Sequence, residues 1–151
     1  MTHYINAEHL TIDRVEEILV KGYNIALSDD AVKRINHCRE YLDKKMENAG
    51  RPIYGVTTGF GSLCNISVDK DNLSQLQKNL MMSHACGTGQ RVPKEIARLM
   101  LLLKVQSLSY GHSGVQLITV QRLVDMFNSN IIPVVYEQGS LGASGDLSPL
   151  A

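Results

Sequence analysis

Between Ile96 and Leu108 the chain is apolar on nearly every side of a helical wheel, and this stretch constrains everything around it. A helix with no polar face is stable in water only when other elements cover most of it. Its longest unbroken apolar run, Leu99 to Leu103, is far shorter than the ~20 residues needed to span a bilayer. The helix is therefore expected to be buried on most sides by protein, and periodicity supplies the neighbours. Thr11 to Lys21 reads as a short helix whose Ile12, Val15, Ile18 and Leu19 share a face, with Gly22 suited to the left-handed stop. Ser28 caps a second helix, with Asp29 and Asp30 in the first turn where negative charge meets the helix dipole. Val32, Ile35, Cys38, Leu42 and Met46 form its stripe, and Asn48-Ala49-Gly50 ends it. A third helix runs from about Asp71 to Ala85 with Leu73, Leu76, Leu80 and His84 on one face, and Gly87-Thr88-Gly89 stops it. Pro93 fits the first turn of the apolar helix, Gly111 and Gly114 break it, and a fifth helix covers roughly Val115 to Asn128. Ile131 to Tyr136 reads as a short extended segment, irregular or at an edge because Pro133 has no amide hydrogen. The expected class is mainly α with short β or irregular segments, in a single region from 1 to 151.

Composition narrows the function classes. Fifteen basic and fifteen acidic residues give zero formal charge, with no like-charge block, so there is no electrostatic case for nucleic acid or an anionic membrane. The start, Met1-Thr2-His3-Tyr4-Ile5-Asn6, lacks the basic flank and apolar core of a signal peptide. Cys38, Cys64 and Cys86 are odd in number and unpaired in spacing, which argues against a disulfide framework and for a reducing, cytoplasmic compartment. They form no C-x-x-C or C…H…H pattern, and His3, His9, His37 and His112 have no partners at ligand spacing, so no metal site is expected. Gly59-Phe60-Gly61 is only a fragment of a dinucleotide fingerprint, and Gly111-His112-Ser113-Gly114 lacks the spacing of a hydrolase nucleophile elbow.

Two glycine-rich stretches carry chemistry. In Gly139-Ser140-Leu141-Gly142-Ala143-Ser144-Gly145-Asp146, glycine after serine removes the Cβ that would block its amide nitrogen from approaching the Ala143 carbonyl. Attack of that nitrogen, with dehydration of Ser144, would give a 4-methylideneimidazol-5-one ring, an electrophile that no standard side chain provides. The competing reading is a glycine-rich turn that caps the next helix through Asp146 or Ser148, with Pro149 in its first turn. The second stretch, Tyr54-Gly55-Val56-Thr57-Thr58-Gly59-Phe60-Gly61, has the composition of a loop that permits positive φ and close backbone approach.

The segment from Gly142 to Ala151 closely resembles the prosthetic-group segment of the histidine and phenylalanine ammonia-lyase family, and Tyr54 to Gly61 resembles that family's mobile tyrosine loop. A third stretch, Leu103 to Ser109 followed by Gly111 to Gly114, is similar to its buried helix and glycine break, so the resemblance covers nearly the whole chain. Two departures are Gln106, where asparagine is expected, and Ser148, where alanine is commoner.

The resemblance implies the N-terminal portion of the ammonia-lyase/fumarase-like helical fold. It implies Ala143, Ser144 and Gly145 as ring-forming catalytic residues with no external cofactor, and Tyr54 as a base once its phenolate is stabilised. Gly61 is implied in substrate binding. Asp146 either assists cyclisation or only caps the helix. Ser83-His84 looks like the histidine-directed version of the substrate-choice pair, against the plain alternative of a satisfied core histidine. The implied reaction is non-oxidative loss of ammonia from L-histidine to give urocanate, in a homotetramer whose sites draw on several subunits. A tyrosine or phenylalanine lyase, or an aminomutase, is the alternative within the family. Leu150 and Ala151 would begin a new apolar helix, so the chain is expected to be truncated just after the prosthetic-group motif. On that expectation the fragment keeps three ordinary residues at 143–145, is inactive alone, and self-associates through an uncovered stripe of Ile96 to Leu108.

Overall fold

Two hydroxyl side chains begin the first two helices. In the computed structural model, which describes residues 1–48, 52–59, 61, 64–68, 72–140 and 147–150, Thr11 Oγ1 accepts from the Arg14 amide at 3.3 Å and Ser28 Oγ accepts from the Ala31 amide at 3.2 Å. Each satisfies a first-turn N–H that has no partner inside its own helix. The elements run β1 (Thr2–Ile5), α1 (Ile12–Val20), β2 (Asn24–Leu27), α2 (Asp29–Glu47), α3 (Leu73–His84), β3 (Thr88–Arg91), α4 (Lys94–Ser109), α5 (Leu117–Asn128) and β4 (Tyr136–Gln138), then a 3-10 turn at Ser148–Leu150. The mainly helical class expected from the sequence is the one observed, and the strands are only three or four residues long. None of the described helices is long and apolar enough to cross a membrane. The chain divides into two units, Met1–Lys44 with Pro93–Val134, and Lys45–Val92 with Val135–Ala151.

In the first unit β1 and β2 pair in parallel, from Thr2 opposite Asn24 to Ile5 opposite Leu27, with α1 as the crossover. Neither strand was expected, because four residues are too few for a period-2 pattern to stand out. The outer hydrogen-bonding edge of β2 is partly closed by a side chain. Asn128 accepts from the Ile25 amide at 2.8 Å and donates to its carbonyl at 2.9 Å, standing in for a neighbouring strand. Ile5, Ile18, Ile25, Ile35, Leu102, Val105, Val120, Val124 and Phe127 form the core. Val15 and Leu19 pack against it as their spacing predicts, but Ile12, the first residue of α1, is 84% exposed.

Helix α4 departs from its expected burial on most sides. It covers Ala97, Leu101, Leu102, Val105 and Leu108, against β1 and α5, and leaves Ile96 and Leu103 nearly half exposed. Its buried polar pair is satisfied: Gln106 Nε2 donates to the Asn6 carbonyl at 2.8 Å, and the Ser109 hydroxyl lies 2.6 Å from the Gln106 carbonyl. Beyond it, a Cβ on Gly111 would lie 2.7 Å from the Arg34 carbonyl oxygen, and φ there is +71°. Only glycine meets both conditions without strain.

In the second unit α3 half-buries Leu73, Leu76, Leu80 and His84 and exposes its other residues, which is the face read from the sequence. It ends in an inverse γ-turn: Ala85 sits at φ −76°, ψ 64°, and the Cys86 amide donates to the His84 carbonyl at 2.8 Å. The chain then enters a strand where the sequence suggested only a glycine stop. β3 pairs antiparallel with β4, Thr88 opposite Gln138 and Arg91 opposite Tyr136, with an irregularity between. The extended segment expected at Ile131 to Tyr136 thus lies further along, at Tyr136–Gln138. The Val92 amide donating to the Val135 carbonyl at 2.9 Å continues the pairing.

Candidate active site

Tyr54 sits in a turn that two threonines close. The Ile53 amide donates to Thr57 Oγ1 at 2.9 Å while the Thr57 amide returns a bond to the Ile53 carbonyl at 2.9 Å. Thr58, only 2% exposed, accepts from the Gly55 amide at 3.2 Å and donates to the Gly59 carbonyl at 2.8 Å. Gly55 holds φ +71°, the left-handed conformation the turn requires. The loop's base is an isolated antiparallel bridge between Thr58 and Ser67, supported by the Val68 amide on the Thr57 carbonyl at 2.9 Å. These bonds hold the turn together, while Tyr54 is 62% exposed. Gly61, at φ +57°, has open space among the described residues where a Cβ would stand.

Ser83 and His84 occupy the last turn of α3. His84 is the half-buried end of the helix's apolar side, and Ser83 is exposed beside it. His84 Nδ1 lies 2.8 Å from the Leu80 carbonyl oxygen, and Ser83 Oγ lies 2.9 Å from the same oxygen. One ring nitrogen of His84 is therefore engaged within its own helix.

Ala143, Ser144, Gly145 and Asp146 lie outside the described residues. Their two flanks are described, and both attach to the stretch that follows His84. On the N-terminal side β4 pairs with β3. On the C-terminal side the Cys86 thiol donates to Ser148 Oγ at 3.5 Å, and Ser148 is buried. α3 and the described flanks of residues 141–146 thus lie within one unit. Among the described residues no group of three or more metal-ligating side chains gathers. A cavity of about 310 Å³ in the first unit, lined by Lys94, Glu95, Arg98, Asn130 and Ile132, contains none of the candidate site residues. There Arg98 is engaged by Asn130 at 2.7 Å and by the Phe127 ring.

The sequence pattern that defines the aromatic amino acid lyases matches residues 10–151. The chain belongs to the aromatic amino acid lyase family. It is 44% identical over 147 residues to a histidine ammonia-lyase of Caldanaerobacter subterraneus, covering 97% of this chain and 29% of that protein. Among solved structures, histidine ammonia-lyase from Trypanosoma cruzi superposes with a TM-score of 0.83 at 37% identity, over 99% of this chain and 28% of that one. Tyrosine aminomutase from Streptomyces globisporus superposes with a TM-score of 0.87 at 31% identity, over 99% and 28%. The chain thus spans about 30% of the length of the curated relatives it matches.

For this aromatic amino acid lyase chain, sequence reasoning named the residues with distinctive chemistry and missed those that hold them. Thr57 and Thr58 were read only as members of a loop. The available signal was threonine placed three or four residues after a turn amide, where its oxygen can accept a local backbone bond. Cys86 enters the sequence argument only as one of three cysteines without paired spacing. No sequence pattern announces its contact with Ser148, which joins residues 62 positions apart.

Proposed function

We propose that this chain is the N-terminal region of a longer histidine ammonia-lyase, which removes ammonia from L-histidine and leaves urocanate. The observation that carries the proposal is the polar pair Ser83-His84 at the end of the otherwise apolar side of α3. A phenyl ring placed there would leave His84 Nε2 without a partner, whereas an imidazole supplies one. The names of the similar proteins, histidine ammonia-lyases above all, support the same choice.

Tyr54 acts as the base that takes a β-proton, on a turn held together by its own hydrogen bonds and with the tyrosine exposed. Such a loop closes over substrate and excludes water. Gly61 leaves room beside the loop for the substrate to approach the backbone. Ala143, Ser144 and Gly145 contain the atoms needed for a 4-methylideneimidazol-5-one ring: a carbonyl, a dehydratable serine, and an amide nitrogen without a neighbouring Cβ. That ring would supply the electrophile, with no external cofactor or metal. Asp146 assists its formation or caps the turn that follows. The whole enzyme is read as a cytoplasmic homotetramer acting on a small amino acid, with neither nucleic acid nor membrane as partner.

A tyrosine-directed enzyme of the family is the second reading. The likeness to a tyrosine aminomutase favours it, and a phenol also brings a donor to His84. The full-length protein decides between them. Urocanate formation from L-histidine should far exceed any conversion of L-tyrosine, and His84→Leu should raise activity towards phenylalanine relative to histidine. Equal turnover of histidine and tyrosine by the parent would overturn the proposal.

A further inference from the structure

Three polar atoms converge at the end of α3. His84 Nδ1 is 2.8 Å from the Leu80 carbonyl oxygen, and Ser83 Oγ is 2.9 Å from that oxygen and 3.1 Å from Nδ1. A carbonyl oxygen has lone pairs and no hydrogen, so Nδ1 must be the donor in the first contact. The Ser83 hydroxyl also donates to the carbonyl, which turns an oxygen lone pair towards the Nδ1 hydrogen. The opposite tautomer would set Nδ1 and the carbonyl face to face as two acceptors, in a half-buried position. A neutral imidazole has one N–H; with it placed on Nδ1, Nε2 presents only a lone pair.

We infer that Ser83 is a positioning residue that, together with the Leu80 carbonyl, holds His84 in the Nδ1–H tautomer, so that Nε2 selects substrates whose ring offers a hydrogen-bond donor. The inference rests on His84 facing the substrate ring, as proposed above, and specifies the chemistry of that contact. A ring with only an acceptor meets Nε2 lone pair to lone pair. A ring with neither leaves Nε2 without a partner as the site closes. Both are disfavoured relative to a ring N–H or a phenolic O–H.

The test uses the full-length enzyme and two sets of five-membered-ring analogues, measured as competitors of whichever amino acid it turns over. Pyrrolylalanine isomers offer a ring donor and no acceptor, and thiazolylalanine isomers offer an acceptor and no donor. Pyrrolylalanine should bind at least about tenfold more tightly. Ser83→Ala should narrow that gap several-fold and raise KM for the natural substrate, with kcat within about twofold. Ser83→Thr, whose hydroxyl can make the same back-bond to the carbonyl, should restore both. Equal binding of the two analogue sets, or a gap unchanged in Ser83→Ala, would overturn the inference. Substrate identity is read separately. An enzyme that turns over tyrosine and keeps the analogue gap would refute the histidine assignment and support the tautomer. One that turns over histidine without a gap would do the reverse.

Discussion

Tyr54 owes any catalytic value to one oxygen. An ordinary phenol titrates near pH 10, about three units too high for a base at neutral pH. Its usefulness depends on where its loop carries it. Backbone amides of Ile53 and Gly55 bond to Thr57 and Thr58, and Tyr54 itself is largely exposed. Tyr54→Phe in the full-length enzyme should therefore keep its melting temperature within a degree or two of the parent on the order of error expected for a surface change. It should lose about 10²–10⁴-fold in kcat if the oxygen is the base. Steady-state kinetics beside a thermal melt checks this, and an unchanged kcat would assign Tyr54 to packing. At this scale the sequence revealed side chains whose chemistry is unusual for their position, such as a tyrosine in a glycine-rich loop or a polar pair ending an apolar stripe. The residues that orient them stayed hidden. Thr57, Thr58 and Ser83 act through a backbone geometry that exists only once the turn or helix has formed.

At the scale of elements, length decided what could be read. Helices α1 to α5 each present apolar residues at helical spacing over two turns or more, and their faces were legible in outline. The strands depend on partners brought from elsewhere in the chain, with Thr2 opposite Asn24 and Thr88 opposite Gln138, so no local pattern specified β1, β2 or β3, and the expected extended segment met β4 only at Tyr136. The glycine break after α4 was legible as a break, but its reason is tertiary. Gly111→Ala would push a Cβ to 2.7 Å from the Arg34 carbonyl at positive φ. It should destabilise the chain by about 2 kcal/mol or more, read as a lower denaturation midpoint at unchanged slope. A second element-scale prediction concerns α1. Glu17 accepts from Lys21 at 2.8 Å, from Arg14, and from Tyr23 at 3.0 Å, and these bonds pull its pKa down to about 2 from an ordinary 4.5. Its folded pKa is depressed, so its contribution is complete above pH 4.5 and fades as the pH falls towards 2. Glu17→Gln should therefore melt below the parent at neutral pH, with the difference closing across that acid window. A constant difference from pH 7 to 2 would mean that the ion pairs contribute nothing there.

At the scale of the whole molecule, the proposed ring at 143–145 raises the question of what would make the tripeptide react. Cyclisation presses the Gly145 nitrogen towards the Ala143 carbonyl, and backbone strain of that kind persists only where surrounding structure over-determines it. On the described flanks the holding groups include a three-residue strand with an irregular register and a thiol–hydroxyl contact at 3.5 Å. Histidine ammonia-lyases similar to this chain are more than three times its length, since it spans about 30% of them. The ring-forming enclosure is therefore expected to need that larger remainder. Ile96, Leu103 and Ile118, each about half exposed on α4 and α5, are the kind of apolar surface such a remainder could cover. Expressed by itself, the 151-residue chain should retain three ordinary residues at 143–145 and show an intact mass equal to its sequence. The full-length polypeptide should be lighter than its sequence by two waters, on the order of 36 Da. The comparison needs only mass spectrometry of both, with Ser144→Ala in the full-length protein as a control that cannot dehydrate. A clean two-water deficit in the short chain would show that these residues suffice to form the electrophile, and that the strain is held by contacts within them.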